Sequence, residues 1–353
     1  MISNVTNLKK WTMNKLIRFI SSQEYLALQI DITNFCNLSC SHCYHSDHKN
    51  DGAISLDNWK DILVQYENLL GYLYLKPSII ICGGEPLLSK NLKPIVSFIR
   101  TKWPEAPLTI LTNGTLLNHS NVIFLKENNI DIQVSIDGPD FNSHDSVRGI
   151  GSFNKSIEGI AKALENNLKV HILSVLSKRS SKTIEDFFQL ASSLRVYSMN
   201  FTRLISQGNG RDLINSNEDA PLQGLELKSA YENILYFSKT YGITTNTNKP
   251  LFCLIDEKLG TSSKFGFQGI VIDYKGNLKV SSRTDYTLGN VLTESLEGLF
   301  LNSPTLKELR NGEIDKCGTC PYLSKCGGDR NVSFATSGNY LSSDPGCWLE
   351  TVN

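Results

Sequence analysis

Cys36-Asn37-Leu38-Ser39-Cys40-Ser41-His42-Cys43 decides how the rest of the chain is read. The run follows an apolar, strand-like segment from Tyr25 to Ile32, so it leaves the end of a predicted β-strand. Three thiolates spaced C-x3-C-x2-C on so short a loop can converge on one metal centre. No fourth cysteine follows before Cys82, so the loop cannot complete a set of four alone. Iron–sulfur clusters are usually held by four thiolates; three leave one iron open to a further ligand, which makes the site reactive. A structural zinc loop is the competing reading, because His42, His45 and His48 lie close by. Zinc loops usually pair two short cysteine turns, or one such turn with two histidines.

Length and composition narrow the choice. The 353 residues exceed one typical core, which predicts a large α/β domain with a smaller second one. Lys and Arg total 35 against 35 Asp and Glu, with no basic stripe interleaved with aromatics, so nothing points to nucleic acid. The first residues carry Lys9, Lys10, Trp11, Lys15 and Arg18 between apolar runs too broken for a signal peptide. No stretch reaches the roughly 18 apolar residues of a membrane span. These features predict a cytoplasmic protein without a membrane partner, whose thiols stay reduced. Nine cysteines, an odd number grouped mostly at 36–43 and 317–347, then suggest metal rather than disulfides.

Beyond the loop, Ser55 caps a predicted helix with Leu56, Trp59, Leu63, Tyr66 and Leu70 on one face. Ile79-Ile80-Ile81-Cys82 reads as a buried strand ending in Gly83-Gly84-Glu85-Pro86. Further strand-like runs cover Leu108–Leu111, Ile132–Ile136, Val170–Val175 and Val196–Phe201, with helical periods between them such as Phe153, Ile157, Ile160, Ala161 and Leu164. Alternation of this kind implies a parallel sheet with right-handed crossovers. Six units fall short of the eight in a closed barrel, so the expected fold is α/β, an incomplete barrel whose chemistry sits at the carboxyl ends of its strands. Polar residues from Ser206 to Asn217 mark the barrel's exit, and a helix with Leu225, Leu227, Tyr231, Ile234 and Leu235, followed by polar residues near Thr244 to Lys249, forms a bridge. A hairpin is predicted to turn at Lys275-Gly276-Asn277. The expected divisions are an amphipathic lead-in at 1–24, a barrel at 25–210, the bridge at 211–252 and a small metal-stapled module at 253–353.

C-x3-C-x2-C followed by an aromatic residue, here Tyr44, resembles the signature of the radical S-adenosylmethionine (SAM) enzymes. The resemblance implies that Cys36, Cys40 and Cys43 hold a [4Fe-4S] cluster whose open iron takes SAM, and that reductive cleavage yields a 5′-deoxyadenosyl radical. It also implies a partial (β/α)6 barrel. Gly83-Gly84-Glu85-Pro86 matches the family's GGEP motif for the SAM amino group, although a Gly-Gly turn alone is more often only a turn. Asn113, ending the third barrel strand, and Ser135 and Asp137, ending the fourth, resemble positions that meet the ribose or methionine part of SAM. His144-Asp145-Ser146-Val147-Arg148-Gly149, with Gly151-Ser152-Phe153, resembles a segment of the peptide-modifying branch, in which Arg148 would meet the SAM carboxylate as a bidentate fork.

Cys317-x2-Cys320-x5-Cys326, with Cys347 further on, could by itself hold zinc. Together with Gly276 and Leu288-Gly289-Asn290-Val291 it resembles the SPASM domain, a radical SAM extension carrying auxiliary [4Fe-4S] clusters. Two of that pattern's cysteines are replaced, by Ser281 and Arg330, and Cys253 stands near a third at a longer spacing. The resemblance therefore implies two clusters in all, the auxiliary one on Cys317, Cys320, Cys326 and Cys347. The inner auxiliary site would be empty, with Cys253 and Cys82 as buried small apolar residues.

The implied function is a maturase that abstracts hydrogen from a ribosomally made precursor peptide and forms a side-chain cross-link, a thioether or a carbon–carbon cyclophane. An external donor such as flavodoxin or ferredoxin would supply the electron. No catalytic acid or base is singled out; Asp273 and Asp285 are as readily hairpin carboxylates, and Ser282 stands where a sulfatase-maturing relative has its Asp base. Peptide epimerisation, a radical SAM reaction on a small molecule and a zinc-stapled binding module remain the alternatives.

Overall fold

The computed structural model describes residues 24–45, 47–261 and 269–349. The lead-in expected at 1–24 falls outside these, except for Glu24.

β1 (Tyr25–Thr33) alternates apolar and small or polar residues, so Leu26, Leu28 and Ile30 enter the core while Ala27 and Gln29 face the barrel interior. α1 (Leu56–Leu73) starts in a capping box, in which Ser55 and Asn58 satisfy each other's backbone N–H groups, and ends where Tyr74 turns left-handed at φ 57°. Its buried face, Trp59, Ile62, Leu63, Tyr66 and Leu70, carries four of the five predicted positions, while Leu56 is only partly buried against the core. β2 (Lys76–Gly83), α2 (Leu92–Lys102), β3 (Leu108–Thr112), α3 (His119–Glu127) and β4 (Asp131–Ser135) follow. Two consecutive helices, α4 (Phe141–Arg148) and α5 (Ser152–Glu165), lead to β5 (Val170–Leu176), α6 (Ile184–Leu194) and β6 (Ser198–Arg203). The six strands pair in parallel in the order β6-β5-β4-β3-β2-β1, the partial barrel expected. One hydrophobic core runs between this sheet and its helices. Truncating a fully buried member such as Ile30 to Ala costs about 2–5 kcal/mol.

After β6 come a short helix α7 (Asn209–Asn215), within the stretch read as an irregular exit, and α8 (Gly224–Tyr241). α8 buries Leu227, Ala230, Tyr231 and Ile234, whereas Leu225, expected on that face, is exposed. The C-terminal residues do not start a sheet of their own. β7 (Gly269–Ile272) pairs in parallel with the free edge of β1, and β8 (Asn277–Lys279) and β9 (Thr287–Asn290) continue the same sheet antiparallel. The predicted hairpin is present, with Asp273 accepting from the N–H groups of Lys275 and Asn277 at 2.9 and 3.0 Å, a turn-forming role. α9 (Leu296–Asn302), α10 (Pro304–Asn311) and α11 (Arg330–Ser337) complete the chain. Side chains also tie this part to the barrel: Gln65 of α1 bonds the backbone of Val291 and Leu296, and Arg203 of β6 pairs with Asp344 at 2.8 Å, both side chains of that pair buried.

Candidate active site

The 36–43 loop is held from several sides. From β2, Gly84 N donates to Thr33 O at 2.7 Å and Glu85 N to Phe35 O at 2.9 Å. A Cβ at Gly83 would meet Thr33 O, and one at Gly84 would meet Phe35 O, each at 2.2 Å. The two glycines are thus required by the chain's own close approach, not by a ligand alone. From α4, Val147 O accepts from Ser41 N at 2.9 Å. From the α7 segment, Asn209 Nδ2 donates to Cys40 O at 3.2 Å, and Gly208, at φ +54°, lies where a Cβ would come within 2.5 Å of the Tyr44 carbonyl. The sequence reading missed this third support, which Gly208-Asn209-Gly210 alone could have signalled.

Cys36, Cys40 and Cys43 line one cavity of about 240 Å3 together with Tyr44, Gly83, Gly84, Asn113, Ser135 and Arg148. The structure thus brings together most of the expected SAM residues. Pro86 opens the short 3-10 turn Pro86–Leu88 behind it. Two carboxylates behave differently from expectation. Glu85, expected to receive an ammonium group, is fully buried and accepts from Thr112 Oγ1 and Asn113 N at 2.8 Å and Leu87 N at 3.1 Å. It fastens β2 to β3 and caps the 3-10 turn, leaving the backbone at 83–84 to face the cavity. Asp137 is also buried and stands behind the wall, not on it. It bonds His42 Nε2 at 2.6 Å, Arg148 Nε at 2.5 Å and Val175 N at 2.7 Å. Burial acts to raise its pKa, but Arg148 and His42 hold the carboxyl well below the usual range.

Arg148 is therefore aimed by Asp137, and its Nη1 stands 3.9 Å from Cys40 Sγ. The segment around it is a brace. His144 Nδ1 accepts from Asp137 N at 3.3 Å, and Asp145 accepts from Gly151 N at 2.6 Å and Phe153 N at 2.8 Å, fixing the turn into α5. Asn113 Nδ2 donates to Asn37 Oδ1 at 2.9 Å and approaches Cys36 Sγ at 3.9 Å. Cys82 is buried against the Tyr44 hydroxyl at 3.8 Å, and Nε2 of His45 and both ring nitrogens of His48 lie buried without partners near the same cavity.

The thiols fit a cationic cluster. Burial, then the neighbouring Cys40 and Cys36, pushes Cys43 up to about 12. Three such thiols become thiolates together only with positive charge among them, which iron supplies. No three His, Cys, Asp or Glu side chains among the described residues stand at single-ion spacing; a four-iron cluster spans more room than one ion.

In the C-terminal part, Cys317, Cys320, Cys326 and Cys347 line a second, much smaller space of about 20 Å3. Leu251 N donates to Cys326 Sγ at 3.3 Å. Cys253 is buried as expected, and its thiol also hydrogen-bonds Cys326. Arg330, replacing one SPASM cysteine, is buried and donates Nη1 to Tyr340 O at 2.8 Å and Ser342 O at 2.6 Å. Together with Ser281 it lines a cavity of about 510 Å3 that also reaches Cys326.

Residues 30–191 match the radical SAM superfamily. The chain is 23% identical over 346 residues to the AdoMet-dependent heme synthase of Nitratidesulfovibrio vulgaris, covering 90% of each. It is 26% identical over 342 residues to the mycofactocin maturase MftC of Mycobacterium ulcerans, covering 91% of this chain and 87% of that one. Among solved structures, SuiB of Streptococcus suis bound to its precursor peptide SuiA superposes with a TM-score of 0.73 at 18% identity, over 92% of this chain and 76% of SuiB. The barrel is thus a radical SAM fold, which implies a [4Fe-4S] cluster and SAM, and the protein is an enzyme. No helix among the described residues is long and apolar enough to cross a membrane.

Proposed function

We propose that this radical SAM enzyme matures a ribosomally made precursor peptide, joining side chains through a thioether or carbon–carbon bond. The observation that carries this reading is a fold shared along 92% of the chain with a protein crystallised on its precursor peptide. The heme synthase among the relatives favours a second reading, a small-molecule substrate such as a porphyrin.

On either reading Cys36, Cys40 and Cys43 hold the SAM-binding cluster, and Cys317, Cys320, Cys326 and Cys347 hold an auxiliary one within a SPASM-like region. When bound, the first cluster and SAM supply one-electron chemistry able to take hydrogen from an unactivated carbon. Tyr44, Asn113, Ser135 and the backbone at Gly83 and Gly84 shape the SAM site, and Arg148 would meet the SAM carboxylate. Asp137 positions Arg148, and Glu85 positions the 83–84 backbone and Asn113. Leu111, Leu173, Val175, Leu204 and Ile205 on the same cavity keep water from the reacting centre. The electron comes from an external flavodoxin or ferredoxin.

The test is anaerobic reconstitution with iron and sulfide, then reaction with SAM, reductant and a peptide encoded beside the gene. Formation of 5′-deoxyadenosine with loss of two hydrogens from the peptide is the expected result. One solvent deuterium without that loss would make the enzyme an epimerase, and an unchanged peptide with a modified porphyrin would establish the small-molecule reading.

A further inference from the structure

Gln29 stands between two cavities. It lines the space of about 240 Å3 beside the cysteine loop and also the space of about 510 Å3 that reaches Cys326. Strand register sets its neighbours: Ile80 of β2 and Val271 of β7 pair with it on either side and line the larger cavity, so Gln29 is a polar group held between two apolar ones. Two residues back, Ala27 and Gly269 pair in register on the same face, and their lack of bulk leaves the larger cavity its room.

The Gln29 amide has a fixed orientation. Its Nε2 donates to Asp31 Oδ1 at 2.9 Å. Asp31 is 1% exposed, and burial raises its carboxyl only to about 6, so at neutral pH it is ionised and can only accept. The nitrogen of the amide must therefore face Asp31, which turns the oxygen elsewhere. Oε1 has no hydrogen-bond partner among the described residues, yet it is not sealed from solvent, so a free acceptor is open to the space that Gln29 lines.

The larger cavity is lined chiefly by apolar groups, among them Ala27, Ile80, Val271, Val280 and Leu323. Its charged lining residues are Arg310 and Arg330, with no carboxylate among the described ones, and Arg330 already serves the carbonyls of Tyr340 and Ser342. A basic side chain would meet two guanidinium groups and no counter-charge there, which is unfavourable away from water. Ser281 and Arg330 stand on the wall where the SPASM pattern has cysteines, which leaves Cys326 as the one cysteine among the described lining residues.

We infer that Gln29 selects and orients the substrate: Oε1 accepts a backbone N–H of the precursor peptide, and the side chain next to that N–H, apolar or aromatic, enters the larger cavity. The inference rests on the peptide reading above and narrows it. A metalloporphyrin with ionised propionates offers no N–H or O–H donor, so the same acceptor would stand idle toward it.

The test uses the full-length, reconstituted enzyme with SAM saturating and no reductant, titrated by calorimetry with N-acetylphenylalanine methylamide. This probe binds saturably, whereas its analogue methylated on both amide nitrogens and N-acetyllysine methylamide each bind about tenfold more weakly. Gln29→Met, close in size but without the acceptor, weakens the phenylalanine probe about tenfold and erases the difference between it and the methylated analogue. Ala27→Phe, which takes up room in the larger cavity, weakens the phenylalanine probe and spares N-acetylglycine methylamide. Failure of the phenylalanine probe to saturate, equal binding of the methylated or the lysine probe, or unchanged binding in both variants overturns the proposal. So does a loss of SAM affinity in Gln29→Met as large as the loss of probe affinity, because the acceptor would then serve the cofactor. A porphyrin modified in place of a peptide would end the peptide reading and this inference together. A modified peptide, with the probe indifferent to Gln29, would end the inference alone.

Discussion

The thiols at 36–43 and those at 317–347 sit in opposite settings. The first group faces about 240 Å3 bordered by arginines and unpartnered ring nitrogens, whereas the second surrounds about 20 Å3 lined chiefly by leucines, glycines and its own sulfurs. Three cysteines beside the larger space leave room for a further ligand next to them. Four cysteines around the smaller one leave almost no room for anything else. The same element, sulfur on a short loop, thus takes different work from the room left beside it.

Removing single thiols tests that contrast most strongly. Cys40→Ala lowers 5′-deoxyadenosine formation by about 10³-fold or more, and Cys320→Ala leaves it within about tenfold. Each drops iron from about eight to about four per chain, measured by colorimetric iron assay, whereas Cys253→Ala leaves it at about eight. Equal loss of turnover in the first two variants would erase the distinction. Backbone fit comes next. Gly84→Ala forces a Cβ against Phe35 O and costs about 3 kcal/mol or more in denaturant unfolding. Gly327→Ala, beside the second group with Leu323 O at 3.8 Å, costs only the left-handed backbone penalty of about 1–2 kcal/mol.

Asp344→Asn leaves Arg203 without its counter-charge between the two regions and destabilises by about 3 kcal/mol, read as a lower midpoint in guanidinium. The smallest effect is one of pH. Burial, reinforced by Arg148, lowers His144 to about 4 from its ordinary 6.5. The unfolded chain therefore binds a proton between these values that the native one refuses, so stability falls as pH drops from 6.5 to 4. About 1–2 kcal/mol of that fall is absent in His144→Asn, as pH-dependent unfolding would show.

Much of this was legible in the residues. The cysteine spacings, the strand alternation and the face of α1 are local patterns, and each appears where it was expected. What escaped was non-local. Nothing near Asp137 says that it will meet His42 and Arg148, and Glu85 gives no local sign that Thr112 and Asn113 will take its carboxylate. Gly208 looked like loop because its reason, the Tyr44 carbonyl, lies far back in the chain. Leu225 fits a helical period, yet nothing covers it.

β1 lies in the middle of the finished sheet with β7 on one side, although the two are made far apart in time. Until residues 269–272 leave the ribosome, the strand that launches the cysteine loop has one bare edge of N–H and C=O groups. Residues 269–272 must therefore be made before β1 is sealed, so its edge stays open to mispairing while the intervening residues are synthesised. A truncation before residue 269 would lay that edge open for good, inviting another chain to take the place of β7.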